Sequence, residues 1–266
     1  MFGWSLPFQP GLVPPDLLDL LRRGDALDVD EETGAQRSRY RVSRIRRHLF
    51  LHSAFPTEGR DSIFLGPDTY RFVRFLVGAV DPQARHLVDM GAGTGAGAVS
   101  VAALLPEARL TLIDANPEAL RLARINAEAA GVRVETVEAD SLDAAEGEMD
   151  LVIANPPFIA DNSERLYRHG GGMRGAQVSL DWALAAAERL SPGGRMLLYT
   201  GSAIVDGEDP LQAALADRLT PLGCTLTYSE IDPDIFGETL GAPGYESVER
   251  IAAVGALIQR LPSSAR

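Results

Sequence analysis

The chain has 266 residues, 45% of them hydrophobic, and sets 25 basic residues, all arginine, against 37 acidic ones for a net charge of −12. These proportions suit a globular chain with one large α/β domain and a smaller unit, and they argue against disorder. No apolar run approaches a membrane span, and so acidic a chain is not built to coat a phosphate backbone through its overall field.

Met1 to Pro15 carries four prolines and no basic leader, so neither a secretory signal nor a membrane partner is expected, and a cytoplasmic location is. The single cysteine, Cys224, excludes an intramolecular disulfide and a thiolate cluster. His48, His52, His86 and His169 lack ligand spacing with acidic partners, so no metal is expected.

Residues 1–83 lack a strand-helix rhythm and read as a small N-terminal cover or recognition domain, with a catalytic domain over 84–266. Asp16 to Leu21 forms a helix stopped by Gly24, and 40–45 and 48–52 alternate as strands. Phe64 to Thr69 is a turn capping a helix from Tyr70 to about Val80. Arg37, Arg39, Arg41, Arg44, Arg46 and Arg47 crowd together after an acidic set. They form either a solvated, self-neutralising face or a local patch for an anionic partner.

From His86 the alternation is regular. Strands are expected over 86–90, 108–114, 132–139, 149–154, 194–200, 224–231 and 250–259, and helices over 95–105, 117–130, 176–190 and 210–219. The pattern predicts a mostly parallel sheet with helices on both faces. The last two strands are joined by residues 233–249 without a convincing helix, so they pair antiparallel. A Rossmann-like sheet with its last strand antiparallel is the class I methyltransferase arrangement.

Gly91, Gly93 and Gly95 turn the chain sharply between the first strand of this series and its helix and admit a ligand closely. Taken alone, this GxGxG spacing is a weak signal. Asp89 just before it would repel a pyrophosphate but would hold the ammonium of S-adenosylmethionine by a charge-assisted hydrogen bond. Asp114 closes the next strand, where a carboxylate can accept from both ribose hydroxyls, with Ala115 following; it could instead only cap the helix opening at Pro117. Asp140, followed by Ser141, is placed to accept from an adenine amino group. Asn155-Pro156-Pro157-Phe158 ends a short apolar strand in a rigid loop that cannot continue the ladder.

Residues 89–95, Asp114 to Leu120 with Ala123 to Ala127, and Asn155 to Phe158 together resemble the S-adenosylmethionine-dependent N-methyltransferases of the HemK type. The resemblance covers about 62–200. It extends to Gly66-Pro67-Asp68-Thr69, although glycine stands where arginine is usual, and to the glycine-rich stretch 170–175. It implies S-adenosylmethionine as cofactor, with S-adenosylhomocysteine as product, and methyl transfer to an amide or amine nitrogen. That family modifies release-factor glutamines, and its broader relatives methylate adenine or guanine amines.

The residue types suit that chemistry. A delocalised amide or aniline-like nitrogen must have its orientation imposed, and the Asn155 oxygen and Pro156 carbonyl can each accept one of its N–H bonds while Phe158 packs on the planar group. Pro157, Phe158, Arg168 and Arg174 are the substrate-binding candidates. Phe158 replaces the tyrosine commonest in the glutamine-modifying group, and phenylalanine there also occurs in enzymes acting on guanine amines of ribosomal RNA. A protein glutamine therefore stands slightly ahead of nucleic-acid adenine N6 or guanine N2, which the net charge disfavours, and of a small-molecule amine. A binding module that keeps only the cofactor pocket, or a dehydrogenase, are the readings from other classes.

Overall fold

The computed structural model describes residues 1–57, 59, 61–160 and 170–262. The N-terminal part contains α1 (Pro15–Arg23), a short hairpin of β1 (Leu27–Val29) and β2 (Gln36–Ser38), and a longer hairpin of β3 (Tyr40–Ile45) and β4 (His48–Ser53). The alternation of the longer hairpin was legible. The short one, three residues a side with Gln36 and Ser38 as the buried residues of its second strand, left no apolar period to read.

The helix α2 (Pro67–Ala79) starts earlier than its apolar period suggested, because Pro67 supplies a preset φ and has no N–H to leave unpaired. Its Phe72 and Leu76 enter the core of the main sheet. That sheet is built from β5 (His86–Met90), β6 (Arg109–Asp114), β7 (Glu135–Glu138), β8 (Met149–Ala154), β9 (Leu190–Ile204), β10 (Cys224–Asp232) and β11 (Arg250–Arg260). Its order is β10-β11-β9-β8-β5-β6-β7. The pairs among β5 to β9 are parallel, and β11 lies antiparallel between β9 and β10.

Central strands are apolar on both faces because helices cover both. Val152 and Ala154 of β8 face α5 (Gln177–Arg189) and α6 (Pro210–Leu219). Leu151 and Ile153 face α2 and α3 (Ala96–Val101). α4 (Pro117–Ala129) packs beside α3, burying Ala123 in the same cluster. Strand β9 runs longer than expected because β11 pairs with it from Arg195 to Ile204. Helix α3 is shorter and finishes in a 3₁₀ turn, Ala102–Leu104, just ahead of Pro106. No helix among the described residues is long and apolar enough to cross a membrane.

Candidate active site

A cavity of about 780 Å³ opens at the carboxyl ends of β5, β6, β7 and β8. This is where parallel α/β sheets leave a crevice between strands whose helices go to opposite faces. Its floor is the turn after β5. Gly91, Gly93 and Gly95 all hold positive φ, at 68°, 53° and 74°, which a side chain would strain. A Cβ on Gly91 would also meet the Trp182 ring of α5, whereas at Gly93 there is open space for a ligand.

Asp114 fixes this turn. Its Oδ2 accepts the Gly93 N–H at 2.8 Å and its Oδ1 accepts the Asn116 N–H at 2.9 Å. A carboxylate has about four acceptor sites, so two remain for hydroxyls of a ligand. The helix cap is Asn116, whose side chain accepts the Glu118 N–H, so Asp114 does not cap α4. Burial raises the Asp114 carboxyl above its ordinary value, against the lowering effect of the two N–H donors.

Asp89 is buried, and its Oδ2 accepts the Ala98 N–H at 3.0 Å from the first turn of α3. Burial pushes its carboxyl up to about 8, and the charge of Asp114 acts the same way. A cationic group entering the cavity would restore the charged form. Ala115 and Asp140 line the cavity too, both exposed. Ser141 is not among the lining residues; its hydroxyl caps the 3₁₀ turn Leu142–Ala144 by accepting the Asp143 N–H.

Beside the glycine turn, at the end of the neighbouring strand β8, Asn155, Pro156, Pro157 and Phe158 also line the cavity. The Asn155 Oδ1 is buried without a hydrogen-bond partner. Such an orphan acceptor is costly, about 1–3 kcal/mol, and is the kind of group a ligand N–H satisfies. The Phe158 ring lies against Gly201 of β9, where a Cβ would overlap it. Arg174 hydrogen-bonds to Ser247 and stands outside the lining, and Arg168 lies outside the described residues.

Further residues line the cavity beyond the site candidates that the sequence offers. Phe55 to Thr57 and Ser62 to Phe64 roof the cavity from the N-terminal part, and Asp68 of α2 faces it while accepting from the Tyr199 hydroxyl at 2.9 Å. Trp182 comes from α5, and Phe236 with Glu238 from the connection between β10 and β11. Apart from Asp68, which stands in the Gly66–Thr69 segment, none carries a local motif. Among the described residues no group of three or more His, Cys, Asp or Glu could hold a metal.

Sheet order, the antiparallel last strand and a glycine-floored cavity with an acid at the tip of the second strand define a class I methyltransferase. The methyltransferase small domain family matches residues 72–205. A release factor glutamine methyltransferase of Bordetella pertussis is 35% identical over 216 residues, covering 72% of this chain and 77% of that one. Another, from Deinococcus radiodurans, is 35% identical over 163 residues, 57% of this chain, which spans about half (55%) of its length. A ribosomal RNA small subunit methyltransferase C of Pseudomonas aeruginosa is 33% identical over 117 residues, 44% of this chain and 32% of that one. Among solved structures, a methyltransferase from Pyrococcus furiosus superposes with a TM-score of 0.51 at 19% identity, over 76% of this chain and 89% of that one. The chain belongs to the methyltransferase small domain family, as a methyltransferase of the HemK type.

Proposed function

We propose that this protein is an S-adenosylmethionine-dependent N-methyltransferase whose acceptor is the side-chain amide of a protein glutamine. The observation that carries this reading is the orphaned Asn155 Oδ1, in a cavity that Phe158 and the glycine turn also line. A primary amide supplies the N–H donor that this oxygen lacks and the planar face that an aromatic ring packs on.

The residues present fit the cofactor: Gly93 leaves space beside the turn, and Asp89, Asp114 and Asp140 offer carboxylates to an ammonium, hydroxyls and an amino group. When bound, S-adenosylmethionine supplies a methyl group on a cationic sulfur and leaves as S-adenosylhomocysteine. The chain's own work is orientation. Asn155 Oδ1 and the Pro156 carbonyl accept the two amide N–H bonds, and their dipoles stabilise the positive charge arriving on the acceptor nitrogen. No strong base is needed, because the proton leaves a nitrogen made acidic by that charge.

Two observations favour protein over nucleic acid. The similar proteins from B. pertussis and D. radiodurans are named for glutamine methylation. The described lining of the cavity contains Asp68, Asp89, Asp114, Asp140 and Glu238 and no arginine, which suits a neutral or cationic acceptor better than one flanked by phosphates. We assign residues 1–83 the role of a cover that presents the acceptor, since 55–57 and 62–64 form the cavity roof. The test is incubation of the pure protein with methyl-labelled cofactor and a lysate split into protein, RNA and small-molecule fractions. Label is expected in protein, released by acid hydrolysis as methylamine; label confined to RNA or to small molecules overturns the reading.

A further inference from the structure

We propose that the connection Pro233–Glu249 between β10 and β11 recognises the acceptor: Phe236 extends the aromatic wall begun by Phe158, and Glu238 at the rim selects a cationic residue beside the methylated glutamine. The proposal rests on the protein-glutamine reading above and names the flanking chemistry that reading leaves open.

The aromatic wall is visible in the geometry. Phe236 meets Phe158 edge-on, with ring centroids 5.7 Å apart and planes at 64°, and both rings line the cavity on the side of Asn155. At that spacing the two rings touch, so a planar amide stacks on the wall they form together, held in a plane from which Asn155 and the Pro156 carbonyl can reach its N–H bonds. Phe236 is held there against its own preference, at φ 55° and ψ 38°, a left-handed conformation that bulky residues rarely adopt. Strain of that kind persists only where the surroundings over-determine it. Here the Ile235 N–H donates to Ile251 O of β11 at 2.8 Å, and the Phe236 carbonyl accepts the Thr239 N–H at 2.8 Å. Ile235 and Tyr245 are buried on either side.

The rim supplies the charge. Of the five carboxylates in the described lining, Asp89, Asp114 and Asp140 sit at or beyond the strand tips on the glycine-turn side, and Asp68 is engaged by Tyr199 and by Arg71 at 3.5 Å. Glu238 is exposed and makes no ion pair among the described residues, so its charge is available to whatever carries the acceptor into the cavity. An arginine or lysine next to the glutamine satisfies it; an aspartate is repelled.

The test uses the full chain saturated with S-adenosylhomocysteine and three blocked tripeptides, acetyl-Ala-Gln-Arg, acetyl-Ala-Gln-Ala and acetyl-Ala-Gln-Asp amides, with affinities read by saturation-transfer NMR. The wild type is expected to rank them Arg, Ala, Asp, with steps of about two- to fivefold, the range of a solvent-exposed ion pair. Glu238→Gln should level the ranking and Glu238→Lys reverse it, with folding unaffected at this exposed position. Phe236→Ala should weaken all three about tenfold at unchanged S-adenosylhomocysteine affinity. Variants that bind the peptides as the wild type does would overturn this inference and leave the glutamine reading standing. A wild type that binds none of them, with label found only in RNA, would overturn the glutamine reading and this inference with it.

Discussion

Asn126 of α4 pairs with Leu51 of β4 as a neighbouring strand would. Its Oδ1 accepts the Leu51 N–H at 2.8 Å and its Nδ2 donates to Leu51 O at 3.0 Å, with a second donation to Thr94 O in the glycine turn at 3.0 Å. One fully buried amide thus ties the N-terminal hairpin and the cofactor-side turn to the same helix. Asn126→Ala leaves one buried and two partly buried backbone groups unpaired, and with about 1–3 kcal/mol per buried orphan and less for the others, a loss of about 3 kcal/mol is expected in urea unfolding. Because Thr94 belongs to the turn, S-adenosylhomocysteine affinity should fall with it, by about tenfold in calorimetric titration.

This pairing shows what a linear reading can and cannot reach. Asp89, Asp114 and the three glycines announce themselves because the turn and the strand tips that carry them are local, and strands β5 and β8 because both their faces are apolar. Asn126 was noticed only as part of a familiar pattern; its partners lie 75 and 32 residues away, and no neighbouring residue hints at them. Phe236 and Trp182 reach the cavity by the same kind of long return. Ser141 shows the converse, a residue placed at the site by its neighbour Asp140 while its hydroxyl is spent on a cap.

The buried carboxyl of Asp89 makes cofactor binding and stability depend on pH. Burial pushes it up to about 8, while in the unfolded chain it titrates near 3.8. Between those values the folded state holds a proton that the unfolded state has lost, so this group's contribution to stability is fully present below about pH 4 and is lost as the pH rises through about 8. Asp89→Asn should flatten that part of the stability profile. A ligand ammonium favours the carboxylate, so binding of S-adenosylhomocysteine at pH 7 should release close to one proton, falling to none well above pH 8. Calorimetry in two buffers of different ionisation enthalpy measures that number; zero release at pH 7 would show that Asp89 does not meet the ammonium.

Asn155→Ala separates chemistry from folding. Removing an orphaned buried acceptor relieves a cost of about 1–3 kcal/mol, so thermal stability should hold or rise. S-adenosylhomocysteine affinity should change little, whereas methyl transfer to the labelled protein fraction should fall by about 10² or more, as when one preorganised dipole is lost. Transfer at the wild-type rate would remove the amide from the mechanism.

Gly201 sets the position of Phe158 without touching the cavity itself. Its φ is ordinary, so the constraint is space: the Phe158 ring occupies the place of a side chain on β9. Gly201→Ala should push the ring toward Phe236 at a cost of about 1–3 kcal/mol, typical of overpacking. Glutamine-peptide affinity should drop while S-adenosylhomocysteine affinity stays within about twofold. Equal losses of both would point to general unfolding and would be seen as a lowered melting temperature without ligand rescue.

Tyr245 bridges the acceptor loop and the glycine-rich stretch that follows it. Its hydroxyl accepts the Ala160 N–H at 2.9 Å and donates to Arg174 O at 3.0 Å, while its ring, part of the connection between β10 and β11, is buried. Met173 and Arg174 both hold left-handed φ, at 52° and 53°, so the backbone that Tyr245 grips is strained and depends on that grip. Tyr245→Phe keeps the ring and deletes both bonds, at an expected cost of about 1–3 kcal/mol. Hydrogen exchange at the Ala160 amide should quicken by at least tenfold while amides of β8 keep their protection, because the loss is local rather than global. Transfer should slow through kcat, with S-adenosylhomocysteine affinity retained, since the cofactor side of the cavity does not touch this bridge. Unchanged exchange at Ala160 would mean that the proline pair alone holds the loop, and that the connection beyond β10 serves the acceptor only through Phe236 and Glu238.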